Sequence, residues 1–65
     1  MKAPQDAYWA DMARAYFAEK KVYRYHLKKI IDMADDEVIR ACHAWQEQNG
    51  MVKDYWAFVD AREQQ

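Results

Sequence analysis

A run of cations in the middle of the chain is the feature whose chemistry is easiest to name. From Lys20 to Ile31 there are five positively charged residues and no acidic one, whereas residues 32–65 carry a net charge of −5. Ammonium and guanidinium groups bind carboxylates and phosphates, so this polarity predicts an anionic partner. The candidate binding stripe consists of Lys20, Lys21, Arg24 and Lys28.

Residue types that support catalysis are scarce. The chain contains no Ser or Thr and a single Gly, which excludes a serine nucleophile and a glycine-rich phosphate loop. Cys42 and His43 are adjacent and His26 is the other histidine, whereas a zinc site needs four ligands at short paired spacings. We therefore expect no enzyme activity, no metal site and no cofactor, and we interpret Cys42 as a small buried apolar residue.

The aromatic content is high for so short a chain. Ten of the 65 residues are Phe, Trp or Tyr, and each such side chain can bury about 150–250 Å². Two interpretations stay open: the rings fill a compact core, or several of them form a binding patch or a dimer interface, since Trp and Tyr dominate binding energies. The candidate patch residues are Trp9, Tyr16, Phe17, Tyr55, Trp56 and Phe58.

Apolar spacing predicts a single all-α domain over residues 1–65, a small bundle of three to four short helices. The predicted helices cover residues 4–18, 22–33, 36–48 and 52–62, and it stays open whether the first two are continuous. In the second helix the cations lie opposite one apolar face, formed by Tyr23, Leu27, Ile30 and Ile31. Asp35 is the predicted N-cap of the third helix, and the Asn49-Gly50 pair is a strong helix stop.

A tri-helical, helix-turn-helix-like arrangement fits the apolar spacing. Lys28 and Asp32 depart from the small residue and the glycine that this motif favours. The carboxylates of Asp35, Asp36 and Glu37 would lead the recognition helix into a groove lined with phosphates. Reading DNA through such a unit is therefore disfavoured.

These features together predict a small non-enzymatic binding protein. The leading hypothesis is an adaptor or inhibitor that docks on an acidic surface of a protein partner through the aromatic patch and the basic stripe. The broad apolar arc of the first helix also predicts a homodimer. The alternative is a nucleic-acid-binding regulatory protein that contacts phosphates through the stripe.

The setting of the protein can also be inferred, by weaker arguments. The first residues show no apolar export signal, and one cysteine suits a reducing compartment, so we expect a cytoplasmic protein. The longest apolar run, residues 55–59, has five residues, which predicts no membrane segment. Chains of this size are common among accessory proteins of phages and mobile elements, which is an association only.

Overall fold

Three helices and one β-hairpin make up the fold between residues 4 and 64, the part of the chain that the computed structural model describes. The elements in chain order are α1 (Pro4–Glu19), β1 (Arg24–Tyr25), β2 (Lys28–Lys29), a 3-10 turn (Ile30–Asp32), α2 (Asp35–Asn49) and α3 (Val52–Glu63). The predicted small helical bundle is confirmed in broad outline, with three helices and not four. Of the predicted domain over residues 1–65, residues 1–3 and 65 lie outside the described residues.

Helix α1 ends without a glycine. Lys21 has a φ of 61°, which is in the left-handed region. The N–H groups of Lys21 and Val22 donate to the carbonyl oxygens of Ala18 (3.1 Å) and Phe17 (2.8 Å). These two bonds form a Schellman motif, which satisfies the last carbonyl groups of a helix and turns the chain away. The first predicted helix therefore does not continue into the second.

Residues 22–33 form the hairpin and the 3-10 turn, so the predicted helix over this segment is wrong. The strands are antiparallel, in the register Arg24 with Lys29 and Tyr25 with Lys28. Two residues join the strands: His26, with a φ of 56°, and Leu27, whose φ is not positive. Positive φ at the first central position alone is typical of a type II′ turn, which suits the twist of a hairpin.

Charge spacing contributes to the cost of a helix over this segment. In a helix Lys20, Arg24 and Lys28 would lie one turn apart, and like charges at that spacing cost about 0.2–0.5 kcal/mol per pair. The β-branched and aromatic residues of the segment favour an extended backbone. The helix-turn-helix-like arrangement required a helix here, so that prediction is also wrong.

Helix α2 begins one residue earlier than predicted. Ala34 is extended, with φ −68° and ψ 165°, and occupies the N-cap position. The Ala34 N–H donates to Glu37 Oε1 at 3.4 Å, so the Glu37 side chain satisfies a backbone donor at the helix start. The predicted cap Asp35 instead accepts a hydrogen bond from Arg14 of α1 at 3.0 Å. Its carboxylate therefore links two helices.

An aromatic cluster centred on Tyr16 fills the core. Tyr16 is fully buried, and its ring centroid lies 5.2 Å from that of Tyr55 and 5.3 Å from that of Phe58. Burial raises the pKa of Tyr55 to about 12. The buried apolar residues are Ala10, Met12, Ala13, Tyr16, Phe17, Ile30, Met33, Val38, Ala41, Cys42, Tyr55 and Val59.

The predicted aromatic patch is therefore divided between core and surface. Tyr16, Phe17 and Tyr55 are 0%, 0% and 2% exposed, so they are core residues and not available to a partner. A chain this short buries a smaller fraction of its surface than a larger domain does, and large rings supply the most buried area per residue. Trp56 remains 45% exposed.

We predict opposite effects for two substitutions at the helix ends. Gly50, after α2, has a φ of 65°, and no atom lies within 4 Å of the position that a Cβ would take. Gly50→Ala should lower the free energy of unfolding by about 1 kcal/mol through backbone strain alone. Lys21→Gly should raise it, by less than about 1 kcal/mol, because it relieves the same strain at α1.

Denaturant unfolding followed by circular dichroism measures both changes. Each variant serves as the control for the other, since α2 ends in the same motif: the N–H groups of Gly50 and Met51 donate to the carbonyl oxygens of Glu47 (3.5 Å) and Gln46 (2.8 Å). A loss of stability on Lys21→Gly would contradict the assignment of left-handed strain to this residue.

Candidate functional site

One face of the hairpin is fastened to helix α2. Side chains alternate between the faces of a strand, so Tyr25 and Lys28, which pair across the two strands, share a face. Lys28 Nζ donates to Glu37 Oε1 at 2.8 Å, and Gln48 Nε2 donates to Tyr25 Oη at 3.1 Å. These bonds fix the hairpin to both ends of the helix and use this face for structure.

The other face of the hairpin presents two cations. Arg24 and Lys29 lie directly opposite each other in the register, and both residues are exposed. Neither forms an ion pair with any residue in the described part of the chain. Like charges directly opposite on a strand pair are unfavourable. The fold therefore maintains an uncompensated positive site here.

Three large apolar side chains of this segment are exposed. Tyr23 and Ile31 line a pocket together with Arg24 and Lys29, whereas Leu27, at the turn, lies beside Lys28 and Glu37 on the side of α2. Leu27 is 96% exposed, Ile31 82% and Tyr23 66%. The predicted helix placed all three on a buried face together with Ile30, and Ile30 alone among them is buried. That prediction is wrong because the helix does not form. We define the hairpin surface as Tyr23, Arg24, Leu27, Lys29 and Ile31.

The predicted basic stripe is not a continuous surface. Lys20 Nζ lies 2.7 Å from Asp54 Oδ2, and Tyr16 Oη donates to the same oxygen at 2.8 Å. These two hydrogen bonds, the one from Lys20 foremost, lower the pKa of Asp54. Lys20 therefore ties the end of α1 to α3, as Lys28 ties the hairpin to α2. Of the four stripe residues, Lys21 and Arg24 keep exposed side chains without an ion pair among the described residues.

Sequence reasoning missed most of the hairpin surface. The predicted basic stripe does not include Lys29, and the predicted helix places the apolar residues of the hairpin surface in the core. The available signal was the like-charge spacing of the cations, which disfavours the helix on which that assignment depended.

A second exposed feature lies where the start of α1 meets α3. Trp9 is half-buried, and its ring centroid is 5.0 Å from that of Tyr8 and 5.9 Å from that of Trp56. Val52, one turn before Trp56, is 41% exposed. We define the aromatic edge as Tyr8, Trp9, Val52 and Trp56. Of the predicted patch residues, Trp9 and Trp56 belong to this edge. Phe58 is half-buried, and the Arg62 guanidinium lies 5.5 Å from the centroid of the Phe58 ring.

The thiol of Cys42 sits in an environment that keeps it unreactive. Its side chain is 1% exposed, and burial raises its pKa to about 11, although a hydrogen bond from Gln46 Nε2 (3.2 Å) opposes the shift. The thiolate is the nucleophilic form of cysteine, so a protonated thiol is inert. Cys42 is thus part of the core.

Three further properties of the chain concern metal binding, membrane insertion and family relationships. In residues 4–64 there is no group of three or more His, Cys, Asp or Glu side chains placed to hold a metal ion. Over the same residues, each helix falls short of the length and apolarity that crossing a bilayer requires. Comparison with protein-family models, curated proteins and solved structures finds no match to this chain.

We predict that acid loosens the hairpin from α2. The hydrogen bond from Lys28, above all, lowers the pKa of Glu37 from its ordinary value of 4.5. A carboxylate whose pKa is depressed by folding stabilises the folded state above its unfolded pKa, and this contribution disappears as the pH falls through the folded pKa. The contact should therefore hold above pH 4.5 and weaken below it.

An NMR titration of the Glu37 carboxyl carbon measures this effect. Lys28→Gln should move the pKa of Glu37 upward, towards its ordinary value. Lys29→Gln, on the opposite face, is the matched control and should leave the titration unchanged. Identical Glu37 titrations in the wild type and in Lys28→Gln would contradict the assigned pairing.

Proposed function

We propose that this protein is a small adaptor or inhibitor that binds an acidic protein partner through the hairpin surface and has no chemistry of its own. The observation that supports this most is the combination of Leu27 and Ile31, 96% and 82% exposed, with cations that have no counter-ion in the described part of the chain. Apolar and cationic groups on one projecting segment suit a partner surface that offers apolar contact and carboxylates.

The apolar groups supply the affinity. Full burial of a Leu or Ile side chain contributes about 1.5–3 kcal/mol, and Tyr and Arg are enriched among the residues that dominate binding energies. Tyr23, Arg24 and Leu27 thus combine the residue types of a binding centre. Their exposure costs the free protein little, since the core is filled by the helices.

The cations supply orientation and a faster encounter. Arg24 and Lys29 concentrate positive potential on one face of a chain whose net charge is −1. Such a local field steers an oppositely charged partner and disfavours a basic one. This is the argument for an acidic partner.

Nucleic acid is the second candidate, because a two-stranded β-ribbon is of a size that enters the DNA major groove. Phosphate contacts from Lys21, Arg24 and Lys29 would give a log–log salt slope of about −2.7. The position of Leu27 at the exposed turn favours a protein partner, since an aliphatic tip gains little against phosphates.

Substitutions on the hairpin surface test the proposal. We expect Leu27→Asp and Ile31→Asp each to weaken partner binding by about tenfold or more, without loss of folding, because both side chains already lie in solvent. Ala57→Asp on α3 is the matched control, because it adds a carboxylate at an exposed site outside both the hairpin surface and the aromatic edge. The measurement is quantitative affinity capture from the native host with the wild type and the three variants in parallel, followed by titration of the captured partner.

The outcomes separate the candidates. Selective loss of one captured protein in both hairpin variants supports the proposal. Equal capture by all four proteins contradicts it. The nucleic-acid alternative would be favoured by tight binding of a random DNA duplex at low salt, with a log–log salt slope of about −2.7 and no effect of Leu27→Asp.

We also propose that two copies associate through the aromatic edge. Trp56 and Val52 lie one turn apart on α3 and are 45% and 41% exposed, so they present an apolar strip outside the hairpin surface. Sedimentation velocity at micromolar concentration should show a dimer for the wild type and for Leu27→Asp, and a monomer for Trp56→Lys. A wild type that sediments as a monomer throughout would contradict self-association.

A further inference from the structure

A pocket of about 400 Å³ lies between the end of α1 and the outer face of the hairpin. We call it the anchor pocket. Its volume is within the range of about 300–1,000 Å³ that is common for ligand sites. The residues that decide its chemistry are Phe17, Val22, Arg24, Lys29, Ile30 and Ile31.

The anchor pocket is apolar inside and cationic at its rim. Phe17 and Ile30 are the most buried of its lining residues, at 0% and 7% exposure, and they form its floor with Val22. Arg24 and Lys29 line the same pocket from the facing strands. An occupant therefore passes positive charge at the rim and contacts hydrocarbon at the floor.

The positive charge at the rim is open to a ligand. Arg14 also lines the pocket, but its guanidinium already donates to Asp35 Oδ1 and to the Met33 carbonyl oxygen, both at 3.0 Å. Arg24 and Lys29 have no such partner among the described residues. An anion between them would replace a like-charge contact with two favourable ones, and Arg binds carboxylate through two parallel hydrogen bonds.

The geometry points to a linear acidic segment of the protein partner as the occupant, with one apolar side chain in the anchor pocket and a neighbouring carboxylate between Arg24 and Lys29. This inference rests on the proposed function and specifies what the partner must offer. A segment suits the site better than a small molecule, because Tyr23 and Ile31, which line the pocket, are 66% and 82% exposed and extend its apolar surface outward into solvent.

Three blocked pentapeptides test the inference: Glu-Glu-Leu-Glu-Glu, Glu-Glu-Ala-Glu-Glu and Gln-Gln-Leu-Gln-Gln. The readout is the NMR shift of the methyl groups of Val22, Ile30 and Ile31 during titration. We expect saturable shifts with the first peptide. Replacing Leu by Ala should weaken binding by about tenfold or more, and replacing Glu by Gln should weaken it comparably.

Variants of the protein separate this role from a structural one. Arg24→Gln with Lys29→Gln should weaken the first peptide about tenfold or more, yet raise the Tm, because the substitutions remove a like-charge pair. Lys53→Gln is the matched control: it removes an exposed cation of α3 that has no ion pair among the described residues, and it should leave peptide binding unchanged.

Two results would overturn the inference: wild-type peptide affinity in the Arg24→Gln/Lys29→Gln variant, or saturable methyl shifts with octanoate and none with any peptide. The proposed function fails separately. If Leu27→Asp abolishes partner capture while the double variant captures normally, docking through the hairpin surface stands and the anchor pocket is wrong. If neither affects capture, both fail.

Discussion

The left-handed turn at Lys21 is the constraint on which the rest of the structure depends. Its φ of 61° lets Val22 bond back to Phe17 at 2.8 Å, which closes the last turn of α1 and redirects the chain. Beside it, Lys20 is held by Asp54 at 2.7 Å. Since the chain leaves the helix here, the following residues form a hairpin whose tip lies in solvent.

The arrangement separates cations that hold the fold together from cations that form no ion pair within the described residues. The carboxylates of Asp54 and Glu37 each take one lysine, and each such pair joins two elements. Arg24 and Lys29 face each other across the strands, so no position on the hairpin itself brings a carboxylate between them.

The aromatic residues show how a chain of this length builds a core. Tyr16 lies at the junction of the three described helices, and its hydroxyl group bonds to Asp54, so a large ring is buried without an unsatisfied polar atom. The rings that do not fit this junction lie at the aromatic edge, where Trp56 stays 45% exposed. The core and the aromatic edge both contain aromatic side chains. The position of each ring relative to the junction of the helices decides whether it is buried or exposed.

The helical fold class and the helices α2 and α3 can be predicted from the amino-acid sequence alone, because the residues that specify them are close together in the chain. An acidic first turn marks the start of α2, and Gly50, with its φ of 65°, marks its end. Only the tertiary structure decided the hairpin and its surface. Apolar spacing over 22–33 fits a helix, and Lys21 gives no glycine signal. Contacts between distant residues, such as Tyr25 with Gln48, hold the hairpin in place, and their energies are not encoded in any short stretch of chain.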